Sequence, residues 1–280
     1  EISKKILRMP LLPSALAASG SSGDSSQLYR LAVLAGVDYG IQLVGWAFSA
    51  WFQTERNYDA TGSLTFWAMV LKSLTFAAGQ STGKVDLSMV GGTSVRQRVC
   101  SAMVLAWSAR LGTFLARRGW KYGDSRFEKV TTSPGWLLIY WAMQGMWCFV
   151  TPLPLYLCLT QRRVDNKPVG VVDYVSWAGW AAGFLIEAVA DSQKLAWREA
   201  GNKGFMASGL WHYSQHPNYF GEMLLWASLC VSCVNGLEGV LPKLAAVASP
   251  AFVMYLLRYV SGVPLLQRAM RKRYGDDPAF

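Results

Sequence analysis

One segment concentrates groups able to hold and orient an anionic ligand. It runs Asp191-Ser192-Gln193-Lys194-Leu195-Ala196-Trp197-Arg198, then Asn202, then Gly209-Leu210-Trp211-His212-Tyr213-Ser214-Gln215-His216-Pro217-Asn218-Tyr219-Phe220-Gly221-Glu222. Lys194 and Arg198 are four apart and project from one face of a helix, where two cations can grip a phosphate or pyrophosphate. His216-Pro217-Asn218-Tyr219 brings donors and an aromatic face to a helix start, whose free N–H groups favour an anion. No GxGxxG or P-loop sequence occurs, so the chemistry is that of an anionic-cofactor loop outside those two cradles. The competing reading, an interfacial aromatic belt with snorkelling cations, accounts for Trp211 and Tyr213 but not for the polar density.

The elements that position this loop are apolar helices. Of 280 residues, 52% are hydrophobic and 16% charged, with 13 Trp, and mean hydropathy is +0.20. Disorder and a small disulfide scaffold are both excluded, the latter because the five Cys all lie in apolar runs. Seven windows read as spans: Tyr29–Phe52, Leu64–Gln80, Val99–Ala116, Trp136–Thr160, Val171–Ala190, Gly221–Asn235 and Val240–Gly262. The expected fold is an all-α polytopic membrane bundle of about seven transmembrane helices. Residues 1–29 form a polar extension with Lys4, Lys5 and Arg8, read as an organellar leader remnant or an ordinary tail, and residues 30–280 form the membrane domain. Pro152 and Pro154 should kink the fourth span.

The net charge of +10 fits anionic headgroups and a phosphate-bearing cofactor, and no nucleic-acid partner is expected. Lys and Arg outside the windows number thirteen on the C-terminal side against nine on the other, which leans the C-terminus toward the cytosol, stroma or matrix. Asp38, Lys72, Arg110, Glu187 and Arg258 fall inside windows. They should face the interior, there to pair or to line a wet cavity. Cys230-x-x-Cys233 has redox spacing, but an apolar span makes it core. His212 and His216 are the two histidines, too few for a His-based metal centre.

Ser192-Gln193-Lys194 with Arg198, Gly209-Leu210-Trp211 and His216-Pro217-Asn218-Tyr219-Phe220-Gly221-Glu222 together resemble the C-terminal signature of the steroid 5-alpha-reductase and sterol-reductase superfamily, in its DUF1295 branch. Thr54–Phe66, Asp124-Ser125-Arg126-Phe127, Gly262–Leu266 and Tyr274–Pro278 resemble further motifs of that branch, and the likeness covers about residues 36–280. The resemblance implies a seven-span bundle that reduces a C=C bond of a steroid-like or other lipid enone with NADPH. It implies Lys194, Arg198, Trp211, His216, Asn218 and Tyr219 as cofactor residues, with Arg126 and Arg268 as phosphate partners. Glu55, Tyr58 and Asp59 are its candidate acid or carbonyl-polarising groups, because a carboxyl–phenol pair can donate a proton in a dry site. Tyr58-Asp59 also reads as a helix-start cap.

Two departures from the branch pattern bear on activity. Gln215 stands where the branch carries Arg, and Gln267 where it carries Glu. An Arg-to-Gln change deletes a bidentate phosphate clamp, so NADPH binding is expected to be weakened. The alternative is an inactive relative serving as a structural subunit of a larger membrane complex, with other subunits of a supercomplex as partners beside membrane lipids and a lipid-like substrate. A methyltransferase of the isoprenylcysteine type shares the His-Pro…Tyr…Gly element, but the Ser-Gln-Lys…Arg segment argues against it. The expected location is a mitochondrial inner, plastid or endoplasmic reticulum membrane.

Overall fold

In the computed structural model the chain is described over residues 24–79, 92–123, 127, 130–161, 167–202 and 204–275. The N-terminal extension up to residue 23 and Arg126 lie outside the described residues. The described chain is helical, with no strand among the described residues. The helices are α1 (Asp24–Phe52), α2 (Tyr58–Ala77), α3 (Val95–Tyr122), α4 (Pro134–Val150), α5 (Leu153–Thr160), α6 (Val171–Glu199), α7 (Leu210–Tyr213), α8 (Pro217–Gly236), α9 (Val240–Tyr255) and α10 (Val263–Tyr274). A π-helical turn, Leu256–Val260, continues α9.

Over the described residues, each of the seven apolar windows is largely helical, the fourth broken at Thr151-Pro152. Among the described residues, three stretches, Ser26–Phe52, Val95–Lys121 and Val240–Val260, are long and apolar enough to cross a membrane, and the α4–α5 pair makes a fourth if counted as one span. That pair bends by 56° at Thr151-Pro152, where proline removes a donor and crowds the preceding turn. Side chains are distributed as lipid demands: Trp51, Leu241 and Val44 are exposed, while Asp38, Arg96 and Asp173 are buried. These helices mark a membrane protein.

Local sequence explains the starts of α3 and α6. Ser94 and Gln97 form a reciprocal capping box, Gln97 N donating to Ser94 Oγ at 3.2 Å and Ser94 N to Gln97 Oε1 at 2.9 Å. Asp173, in the first turn of α6, accepts from Gly170 N at 3.2 Å. The same carboxylate receives Arg96 of α3 through two bonds, of 2.7 and 2.8 Å. Arg96, counted among the loop cations by sequence, is therefore a fully buried partner of α6.

α6 and α8 form a close antiparallel hairpin. A Cβ on Gly183 would lie 2.7 Å from Gly221 O, and one on Gly221 would lie 2.6 Å from Gly183 O, so the backbones meet where neither residue has a side chain. Trp177 Nε1 donates to Ser232 Oγ at 3.1 Å farther along the pair. This hairpin sets the loop 200–216 across one end of the bundle.

The intramembrane ionisable residues divide. Asp38 accepts from Gln42 at 3.1 Å, Arg110 pairs with Glu187 and Asp191, and Lys72 sits 5.0 Å from the Phe76 ring. Arg258 departs from the expectation of an interior position: it is exposed on the π-turn, 5.9 Å from the Tyr259 ring, because the turn rotates it off the bundle. All five cysteines are buried and free, Cys230 and Cys233 among them.

Candidate functional site

The loop that carries the signature is built by its own motif residues. Gln193 Oε1 accepts from Leu210 N at 3.0 Å, and Gly209, at φ +62°, leaves room where a Cβ would meet Gln193 at 2.6 Å. Trp211 is buried and its indole N–H donates to Ala190 O at 3.0 Å. The short α7 is thereby pinned to the last turns of α6, and Lys194 Nζ comes to rest 4.0 Å above the Trp211 ring. Asn202 closes the end of α6, donating to Trp197 O at 2.9 Å.

Beside this loop lies a cavity of about 820 Å³, within the range of small-molecule and cofactor sites. Lys194, Arg198, Trp211 and His216 line it, as do Gln215 and Gln267. Among the described residues, no carboxylate lines it. Lys194 lies beyond the apolar part of α6. Burial, and secondly the Arg198 charge, lower its ammonium to about 8. Burial, then the Lys194 charge, also hold the His216 imidazole below its ordinary value.

A second chamber, of about 370 Å³, adjoins the same loop from inside the bundle. Tyr58 and Asp59 line it from α2, Glu187 and Asp191 from α6, and Asn218, Tyr219 and Glu222 from α8. Its apolar wall includes Phe66, Trp107 and Trp147, packed edge to face with ring centroids 5.3 and 4.9 Å from Phe66. Trp107 Nε1 donates to Glu187 Oε2 at 3.1 Å, Arg110 bonds Glu187, and Arg110 Nη1 donates to Asp191 Oδ2 at 2.7 Å. Asn218 Nδ2 donates to Asp191 Oδ1 at 3.2 Å.

His216 and Tyr219 are stacked, their centroids 5.3 Å apart and planes 16° apart. His216 faces the first cavity and Tyr219 the second, so this pair is where the two chambers meet. Both His216 ring nitrogens and Asn218 Oδ1 are buried without a hydrogen-bond partner, an arrangement that costs free energy unless a ligand or water completes it.

The other candidates take different places. Glu55 borders a small side cavity with Arg56 and Phe127 and lines neither of the two chambers. Tyr58 and Asp59 occupy the first turn of α2, whose N-cap is Asn57. The Tyr58 hydroxyl donates to Tyr140 O at 2.9 Å. Arg268 is exposed and outside the cavity lining, while Arg271 and Arg273 of α10 line it. Sequence reasoning had passed over these two arginines, and Trp107, Asp191 and Glu222 as chamber residues. The available signals were the i, i+4 steps from Glu187 to Asp191 and from Gln267 to Arg271.

Among the described residues the fold is a helical membrane bundle with a polar site at one end. The chain belongs to the DUF1295 family, described as a protein of unknown function, whose model matches residues 45–280. It is also similar to an uncharacterised protein of Schizosaccharomyces pombe, with 23% identity over 213 residues, covering 65% of this chain and 58% of that relative. The chain thus spans somewhat more than half of the relative's length. No solved structure matches.

Proposed function

We propose that this protein is a multi-pass, about seven-span membrane oxidoreductase that reduces a C=C bond of a lipid enone with NADPH. The observation that carries the reading is the meeting of two unlike chambers at the His216–Tyr219 stack. One is cationic and, among the described residues, free of carboxylates; the other is walled by aromatic residues and carries a phenol, an amide and carboxyls. The donor set fits a phosphate-bearing nucleotide: Lys194 and Arg198 would hold phosphate, Trp211 backs Lys194, and the unpartnered His216 nitrogens and Asn218 Oδ1 await polar groups. When bound, the nicotinamide supplies hydride. Arg110, Trp107 and Asn218 occupy Glu187 and Asp191, so the wall stays rigid. Asp59, Tyr219 and Glu222 are the groups from which a proton would reach the substrate. The apolar wall would exclude water.

The surplus of cations suits the extra phosphate of NADPH over NADH. Titrating both nucleotides onto the protein in detergent tests this, and equal affinity or no binding overturns it. Gln215 and Gln267, both lining the cationic cavity, favour a second reading, a retained structural subunit of a larger complex. Gln215→Arg separates the two: it tightens NADPH binding if the cavity is a working site, and changes nothing if the cavity has been given over to assembly.

A further inference from the structure

We infer that Arg30 of α1 and Lys72 of α2 form a site for the phosphate of an anionic phospholipid, at the end of the bundle opposite the signature loop. The Arg96–Asp173 pair joins the starts of α3 and α6, and Gln97 Nε2 donates to Cys158 O near the end of α5 at 2.8 Å. Gln27 Nε2 donates to Leu157 O at 3.0 Å and Arg30 Nη1 to Thr160 O at 3.2 Å, which brings the start of α1 to that same end. The signature follows the other end of α6.

The two cations share one ring. Arg30 Cζ lies 5.7 Å from the Phe76 centroid and Lys72 Nζ 5.0 Å from it, so the charges are no farther apart than the sum of those distances. Antiparallel register accounts for the meeting. Gln42 of α1 bonds Thr65 of α2 at 3.1 Å, and equal steps from that bond toward the start of α1 and the end of α2 bring Arg30 level with Ala77. Lys72 reaches the same level because Phe76 is four residues on, one turn nearer the end of its helix. Both cationic side chains are half-buried.

The other cations inside the bundle, Arg96 and Arg110, are neutralised by carboxylates. Arg30 and Lys72 are not: beyond Thr160 O and the shared ring, neither has a partner among the described residues. A carbonyl and a ring face carry only partial charge, so two like charges near one ring repel and lack a full counter-charge. Snorkelling to water does not describe Arg30, because Thr160 O holds it in place and leaves its other N–H groups for a ligand. One phosphate can accept from a guanidinium and an ammonium together. Position makes that phosphate a lipid's. Both residues lie between one and two turns in from a helix end, where headgroups meet acyl chains. Tyr29 is exposed beside Arg30, as interfacial aromatics are, and farther along α1 the exposed Leu43, Val44 and Trp51 offer an apolar face to acyl chains.

The full chain in neutral detergent is titrated with phosphatidylglycerol, phosphatidylcholine and soluble glycerol 3-phosphate. Binding is read as lipid retained in native mass spectra and as the shift in melting temperature. Phosphatidylglycerol should bind and raise the melting temperature, phosphatidylcholine should do so far less, and glycerol 3-phosphate not at all. Lys72→Gln, which removes an ammonium bonded to no other residue, should weaken phosphatidylglycerol about tenfold, and Arg30→Gln at least as much. Lys243→Gln removes an exposed cation at the start of α9, which follows the end of α8 that Gln161 bonds, and should leave binding unchanged. Phosphatidylglycerol binding that survives both Lys72→Gln and Arg30→Gln overturns the site. An equal loss in Lys243→Gln also overturns it, since that marks a diffuse basic surface. Equal retention of phosphatidylcholine, or glycerol 3-phosphate bound as tightly as the lipid, overturns the assignment to an anionic phospholipid.

Discussion

Two buried arginine–carboxylate clusters join the same helices, α3 and α6, and differ in kind. Arg110 follows Arg96 by fourteen residues and Glu187 follows Asp173 by fourteen, close to four helical turns, so the helices run parallel and meet twice on matching faces. The first cluster is closed. Arg96 reaches both Asp173 oxygens and the carbonyls of Lys167 and Pro168 at 3.2 and 3.4 Å, while Ser232 and Asn235 add bonds of 2.9 and 3.0 Å to Asp173. The second is open. Arg110 Nε and Asn218 Oδ1 have no partner, the arginine side chain is 18% exposed, and its two acids border a chamber. A satisfied polar network fixes helix register; an unfinished one in the same helix pair keeps groups available to a ligand.

The largest effect should fall on the closed cluster. Arg96→Met leaves Asp173 buried without its cation and should cost about 3–5 kcal/mol, enough to remove most folded protein. Arg110→Met should cost less, about 1–3 kcal/mol, and should still yield folded protein that no longer turns over. Thermal melts in detergent compare them, and a reversed order would break the contrast.

Next in size is the helix crossing that carries the open cluster. Gly221→Val drives a side chain into Gly183 O and should cost about 1–3 kcal/mol by overpacking, with loss of NADPH binding because His216 and Asn218 ride on the displaced helix. Unchanged melting and binding would show that the crossing does not position the site.

The smallest effect on folding, and the sharpest on binding, belongs to Lys194. Lys194→Ala should weaken NADPH by about 1.5–3 kcal/mol, as read by titration, with the melting temperature nearly unchanged. Because the folded ammonium sits at about 8 against an ordinary 10.5, wild-type affinity should fall as pH rises through 8. Lys194→Arg should flatten that profile. The sign for the ligand-free protein is the opposite. The unfolded chain binds more protons between pH 8 and 10.5, so stability rises across that interval. A flat wild-type binding profile would remove Lys194 from the anion site.

Much of this was legible in the chain. Apolar windows located every long helix, because each window's lipid-facing or core-facing run is a local property of length and hydropathy. Lys194 and Arg198 were legible as a one-face pair for the same local reason, and Pro152 as a break. The motif Gln193…Gly209-Leu210-Trp211 was recognisable, yet its purpose, tying α7 to α6, shows only in the bonds to Leu210 N and Ala190 O.

Residue order therefore sets the helical, local and periodic features: where spans begin and break, and which residues share a helix face. Tertiary structure alone decided which faces meet. Arg96 and Arg271 are indistinguishable from other loop cations in sequence, yet one is sealed against Asp173 and the other rims a cavity. Arg268, three residues from Arg271, lies outside that rim. The reason is that long-range pairing between α3 and α6, and the seating of α10 on Gly204, depend on contacts between residues far apart in the chain, for which no local periodicity exists.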